Sequence, residues 1–169
     1  MANFDLCFSF VLPNEDFDPP RFEIVPDPVH GIDPSAEAIS GVNSHFWPRS
    51  FARIAAVPQS ERGPAVAAFY QKNFWNHWLE AIISNRIAAM ALDAGVNQGQ
   101  GWEVRFLQSG AGCAVDGLWG PATLSAVNAA DLDSLVSGFI AAREARYRQV
   151  GGPSLPEWLA RAAKVPNFM

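Results

Sequence analysis

Cysteine is scarce in this chain. Two residues, Cys7 and Cys113, are too few for a disulfide scaffold, and neither stands in a metal-ligand spacing. Both read as small buried hydrophobes, and the sequence leaves a single Cys7–Cys113 bridge open. Histidine is scarce too. His30, His45 and His77 form no paired metal motif, and no cofactor is expected. Basic residues are outnumbered, 12 Lys and Arg against 17 Asp and Glu, for a formal net charge of -5. Nucleic-acid binding needs a basic face, so no nucleic-acid partner is expected. An anionic polymer would not be steered here by charge and would have to be held by groove contacts. No stretch approaches the ~20 apolar residues that span a bilayer, so no membrane span is expected. The opening MANFDLCFSFVLPNE has no basic start, and Asp5 interrupts its apolar run, so it does not read as a signal peptide. Internal repeats and low-complexity tracts are also missing.

What is present is a globular composition, 49% hydrophobic over 169 residues, enough for one domain with a real core. Phe4, Phe8, Val11 and Leu12 follow i, i+4, i+7, i+8, one face of a short helix that Pro13 weakens at its end. Glu15 then falls at or just past the helix terminus. Residues 16–36 are rich in proline and acid, which excludes a regular helix. Within them Arg21–Val25 alternates as a short strand would.

Helical spacing returns from Glu61 to Glu80, with a break or solvent side marked by Asn73, Asn76 and His77. A second helix, apolar all round, runs from Ile82 to Val96 and reads as central to the fold. Trp102–Gln108, Leu132–Val150 and Leu155–Ala163 are further helices. The inner face of the long one is Leu135, Val136, Phe139, Ile140 and Ala142. The fold class is mainly α, a single globular domain over 1–169, with a short strand or hairpin near residues 21–42.

Val115-Asp116-Gly117-Leu118-Trp119-Gly120-Pro121-Ala122-Thr123 is a turn closed by a helix start. Asp-Gly is a strong turn dipeptide, and Pro121 suits the first turn of a helix. The residue types have two readings: a ligand-binding element, or a rigid corner setting the angle between two helices.

Taken in order, these pieces resemble the glycoside hydrolase family 108 muramidases, and the resemblance implies a lysozyme-like fold. The likeness rests on Asn3-Phe4-Asp5, Phe8 and Val11-Leu12, followed by Glu15. It continues through Phe69-Tyr70 and Phe74-Trp75, Leu92-Asp93-Ala94-Gly95-Val96-Asn97-Gln98-Gly99, Leu107-Gln108, the Asp116–Thr123 run and Arg143–Tyr147. Residues 102–169 resemble the family's peptidoglycan-binding element. The implied activity is hydrolysis of the β-1,4 bond between N-acetylmuramic acid and N-acetylglucosamine, with peptidoglycan glycan strands as partner. Such an enzyme would act in the periplasm or at the cell wall after release. The chain departs from the family at the site itself. The family's Glu-Gly-Gly-Tyr is Glu15-Asp16-Phe17-Asp18, and its Gly-Gly-x-Thr-x-Tyr-Gly-Ile is Ser35–Val42, with Ala38 at the threonine position.

Glycosidic cleavage needs an acid to protonate the leaving oxygen and commonly a second carboxylate. Glu15 is the acid candidate. A carboxyl ending an apolar helix is partly desolvated and meets the negative end of the helix dipole, and both favour its protonated form. Asp27 is the second candidate, with Asp18 and Asp33 on the same loop. Ser35 and Ser40 are the hydroxyls available to hold a water in place of the threonine. Asn97, Gln98, Trp75, Trp119 and Asp116 are the candidates for substrate contact, although Asp93 and Asn97, on one helix face at i, i+4, read first as interior caps. Two other readings stand beside the muramidase. One is a catalytically inactive glycan-binding or structural component of a phage or secretion assembly. The other is a hydrolase of chitin-like polymer.

Overall fold

The computed structural model describes residues 1–168 and is mainly helical, with one small antiparallel sheet. In chain order the elements are α1 (Phe4–Glu15), β1 (Val25–Pro26), β2 (Glu37–Ile39), β3 (Val42–Asn43), α2 (Pro48–Ala55), a 3-10 turn (Gln59–Glu61), α3 (Arg62–Phe74), α4 (His77–Ala81), α5 (Asn85–Gln98), α6 (Gln100–Gly110), α7 (Pro121–Ala129), α8 (Leu132–Val150) and α9 (Leu155–Ala162). No helix among the described residues is long and apolar enough to cross a membrane. The backbone groups into two compact units, Phe8–Asn73 and Met1–Cys7 with Phe74–Met169.

In the unit Phe8–Asn73, Phe8 and Val11 bury the apolar face of α1. Pro13 does not end the helix. It lies in the last turn, where its missing N–H forfeits one backbone bond, and the helix continues to Glu15. The strand expected at Arg21–Val25 starts only at Val25. Phe22 has φ 54, a left-handed conformation that no strand contains. The sheet order is β1-β2-β3, antiparallel throughout, with Val25 opposite Ala38 and Ile39 opposite Val42. Ser40 (φ 46) and Gly41 (φ 76) form the two-residue turn between β2 and β3, and positive φ at both central positions makes it type I′. Ile39 and Val42 then face a core with Ile54, Val66, Phe69 and Tyr70. Helix α2 matches none of the expected helices. Ile54 is its one fully buried residue, and its 8 residues are fewer than the stretch over which a helical period is read.

The proline-rich stretch is pinned rather than loose. The Arg62 guanidinium, buried, donates to the carbonyls of Phe22 (2.9 Å), Val57 (3.1 Å) and Ala55 (3.3 Å). Gln59 donates to the Arg21 carbonyl at 3.0 Å. Backbone acceptors that a loop would otherwise leave to water are thus taken by side chains.

In the other unit, α5 is the central helix, buried continuously from Ile87 to Gly95. It begins at Asn85 rather than Ile82. Ser84 caps it, its hydroxyl accepting from Ile87 N–H, and Ile82 is extended. The helical pattern of 61–80 divides into α3 and α4, because Asn76 caps a fresh start by accepting from the N–H groups of Trp78 and Leu79. Helices α6 and α8 approach closely at Gly110 and Gly138, where a Cβ on Gly138 would stand 2.8 Å from the Gly110 Cα. The inner stripe of α8 is Leu135, Phe139, Arg143 and Tyr147. Val136, Ile140 and Ala142, expected inside, are only half-buried. The polar Arg143 and Tyr147 are inside because α5 offers Asp93 and Asn97 to receive them.

Candidate active site

Glu15 is the last residue of α1, half-buried, and lines a cavity of about 240 Å³ with Asn14, Asp16, Phe17, Glu23, Val25 and Ser40. The hairpin turn forms its seat. A Cβ added at Gly41 would overlap both the Glu15 carboxylate oxygen Oε2 and the Tyr70 hydroxyl. Only glycine lets the acid lie on the turn, and only a residue free at positive φ closes that turn. The Tyr70 hydroxyl donates to the Ser40 carbonyl at 2.7 Å and fixes the turn from below. Tyr70 itself packs against Phe8 of α1, ring centroids 5.0 Å apart. One aromatic residue therefore braces both the helix that carries Glu15 and the turn that receives it.

Asp16 organises the loop through its hydrogen bonds. Its Oδ2 accepts from Ser40 Oγ at 2.6 Å and from Phe22 N–H at 2.9 Å, and its Oδ1 accepts from Phe17 N–H at 2.6 Å and Arg21 N–H at 3.3 Å. Burial works against its charge, but the hydrogen bonds from Ser40, Phe17, Phe22 and Arg21 outweigh burial and hold the carboxyl below its ordinary range.

Glu23 is the second cavity carboxylate outside that network, and sequence reasoning missed it. Its only signal is a glutamate between Phe22 and Ile24, which the expected strand treated as a solvent-facing position. The left-handed Phe22 re-aims the chain there and brings Glu23 to the cavity. Asp27 does not line the cavity. It holds the sheet, where Asn43 donates to its carboxylate (2.7 Å) and its carbonyl (2.9 Å). The Asp33 carboxylate accepts from Ser35 (2.8 Å) and meets His45 Nδ1 at 3.2 Å. The hydroxyl protons of Ser35 and Ser40 are both committed to aspartates, at Asp33 and Asp16.

The other candidates belong to the second unit. Asn97 accepts from the Tyr147 hydroxyl, and Gln98 accepts from Arg143 Nε at 3.2 Å. Both line a separate pocket with Trp102, Arg146, Tyr147 and Trp158. Trp75 packs edge-on against Phe4, and Trp119 stacks flat on Trp78 with centroids 5.9 Å apart. Asp116 sits in a corner built on Gln108. The buried Gln108 amide nitrogen lies 2.7 Å from Asp116 Oδ1, 3.1 Å from the Leu118 carbonyl and 3.1 Å from Thr123 Oγ1, while its oxygen accepts from Gly117 N–H. The 115–123 run is thus a hydrogen-bonded corner whose polar groups are largely turned inward onto one glutamine. Among the described residues no group of three or more His, Cys, Asp or Glu side chains is placed to hold a metal.

No family model matches the sequence, and no curated protein matches it. Solved structures do match the fold. One is Brucella abortus SagA, which this chain resembles at TM-score 0.61 over 94% of its own length and 92% of the other chain, with 21% sequence identity.

Proposed function

We propose that the cavity under Glu15 is the catalytic centre of a peptidoglycan hydrolase, an N-acetylmuramidase with Glu15 as general acid. The observation that carries this reading is the seating of the Glu15 carboxylate on the Ser40–Gly41 turn, at the wall of a cavity that also holds Glu23. A helix-terminal acid held by a hairpin, beside a second carboxylate, is what protonation of a glycosidic oxygen with stabilisation of the resulting charge requires. Glu23 replaces Asp27 as the second group. The resemblance to the family 108 muramidases supplies the substrate, and the likeness to SagA supports the scaffold on which the motif would sit. A substrate in the wall implies that the protein works in the periplasm or at the cell wall after release.

The test is clearance of purified peptidoglycan with mass analysis of the released ends. Wild type should release reducing muramic acid ends. Glu15→Gln should lose about 10²-fold or more, the range of a positioned general acid. No release by wild type at high protein concentration would sink the catalytic reading. A glycan-binding protein without turnover is the second reading. It is favoured by one observation: Asp16 and Ser40, at positions where the family's motifs differ, are bonded to each other.

A further inference from the structure

Phe17 lines the Glu15 cavity and is 43% exposed. The exposed Arg21 lies beside it, its guanidinium carbon 4.2 Å from the centre of the Phe17 ring. Asp16 holds the two together. Its carboxylate accepts from the N–H groups of Phe17, Arg21 and Phe22 and so closes residues 17–22 into a loop. Gln59 fixes the Arg21 carbonyl. The pair is therefore ordered before any ligand arrives, which lowers the cost of binding one. A cation over a ring uses its charge and leaves the five guanidinium N–H donors in play. None of them meets a protein acceptor among the described residues. Asp16 and Phe17 stand where the motif of the family 108 muramidases has two glycines, so this element is the chain's own.

An exposed ring beside a forked cation fits a ligand with a flat apolar face and a carboxylate next to it. The cavity itself is lined by three carboxyl groups, Glu15, Asp16 and Glu23, and disfavours an anion. The ligand's carboxylate must then lie outside the cavity, where Arg21 stands. We propose that Phe17 and Arg21 form a specificity element at the edge of the Glu15 cavity, Phe17 receiving the sugar beside the scissile bond and Arg21 pairing with a free carboxylate of the peptide that muramic acid carries. In the wall the lactyl carboxyl is amide-bonded to that peptide, so the anion is one of the peptide's own carboxylates. The site then prefers peptide-bearing strands to bare ones. The choice of wall peptide rests on the muramidase reading; the pairing of a ring surface with a free cation does not.

The experiment measures binding to the full chain by calorimetry, with disaccharides that a muramidase does not cleave further. Three are compared: N-acetylglucosaminyl-N-acetylmuramyl tetrapeptide, the same compound with its peptide carboxyls amidated, and the disaccharide with its lactyl carboxyl capped as a methylamide. The tetrapeptide compound should bind more tightly than the other two by about tenfold, the range of a charge-assisted pair. Added salt should shrink that gap, because the pair is exposed. Arg21→Gln should bring the three toward parity. Arg21→Lys, which keeps the charge without the fork, should restore part of the preference. Phe17→Ala should weaken all three, since each carries the sugar. Equal weakening of all three by Arg21→Gln would mark a merely structural role and overturn the proposal. Equal binding of the amidated compound by wild type, or no saturation with the tetrapeptide compound, would do the same. A wild type that shows the preference but clears no wall polymer removes the catalytic reading and leaves this one standing. Clearance without the preference does the reverse.

Discussion

Gly41 lies directly against the carboxylate of Glu15, with the Tyr70 hydroxyl on the same side. The contact joins a hairpin turn to the end of a helix, and each constrains the other. Gly41→Ala sets a Cβ where Glu15 and Tyr70 already are, at a position with φ 76. The backbone alone costs about 1–2 kcal/mol. Thermal unfolding should fall accordingly, and wall-clearing activity should fall further, by about tenfold or more, because a displaced acid loses its alignment. Full activity in Gly41→Ala would show that the turn does not position Glu15.

Asp93 is fully buried between Arg143 (2.7 Å) and Arg161 (2.8 Å), tying α5 to α8 and α9. Burial opposes its charge, but Arg161 and Arg143 outweigh burial and hold the carboxyl below its ordinary range. Its stabilising contribution is therefore present above the ordinary carboxylate range and is lost as pH falls through and below it. Asp93→Asn leaves the buried Arg143 and the partly exposed Arg161 without their anion and should cost about 3–5 kcal/mol at neutral pH. Urea unfolding of wild type and variant at pH 7 and pH 3 checks both statements. The gap between the two proteins should narrow in acid.

Glu103 presents the opposite case. It is fully buried on α6, and neither carboxyl oxygen meets a donor in hydrogen-bonding geometry. Burial pushes its carboxyl up to about 8, against a smaller lowering by the neighbouring Trp119 indole N–H. A raised folded-state value means that the stability is complete below the unfolded value near 4.5 and drains away as pH rises toward about 8. Glu103→Gln removes that titration. The variant should match wild type near pH 5 and exceed it at pH 8–9, read by denaturant midpoints. A wild-type stability that is flat between pH 5 and 8 would contradict this.

Both cysteines are free, but they differ in access. Cys7 is fully buried, with its thiol 3.5 Å from the Asn85 carbonyl, and burial pushes it up to about 12. Cys113 is half-exposed. A thiol reagent at pH 8 should titrate one group quickly in the native protein and two after denaturation, with peptide mapping placing the fast label on Cys113. Fast modification of Cys7 would contradict the burial.

Helices of strong period were legible in the sequence, and their ends were less so. The apolar run inside α5 announced a central helix, but Ser84 and Asn76, as caps, set where helices begin. Asp93 and Asn97 were readable as an i, i+4 pair. Their partners, Arg143 and Tyr147, repeat the same spacing on α8, so the two helices match side chain for side chain. That match was visible in principle. It is hidden because the inner face of a helix is ordinarily apolar, and Val136 and Ile140 offer an apolar alternative to Arg143 and Tyr147. The hairpin of residues 37–43 was harder still. Its turn is Ser-Gly, and nothing local marks that the serine will adopt a positive φ.

The amino-acid sequence by itself determined the helical class, the place of Glu15 at a helix end, and the turn character of residues 115–123, because each depends on neighbours within a turn or two. Tertiary structure alone decided which carboxylates share a cavity. Glu23 and Asp27 stand in the same loop with similar sequence surroundings. A left-handed Phe22, fixed through its carbonyl by the distant Arg62, sends Glu23 to the Glu15 cavity, while Asn43 draws Asp27 onto the sheet. Those partners lie some 16 to 40 residues away in the chain, and no local pattern encodes them.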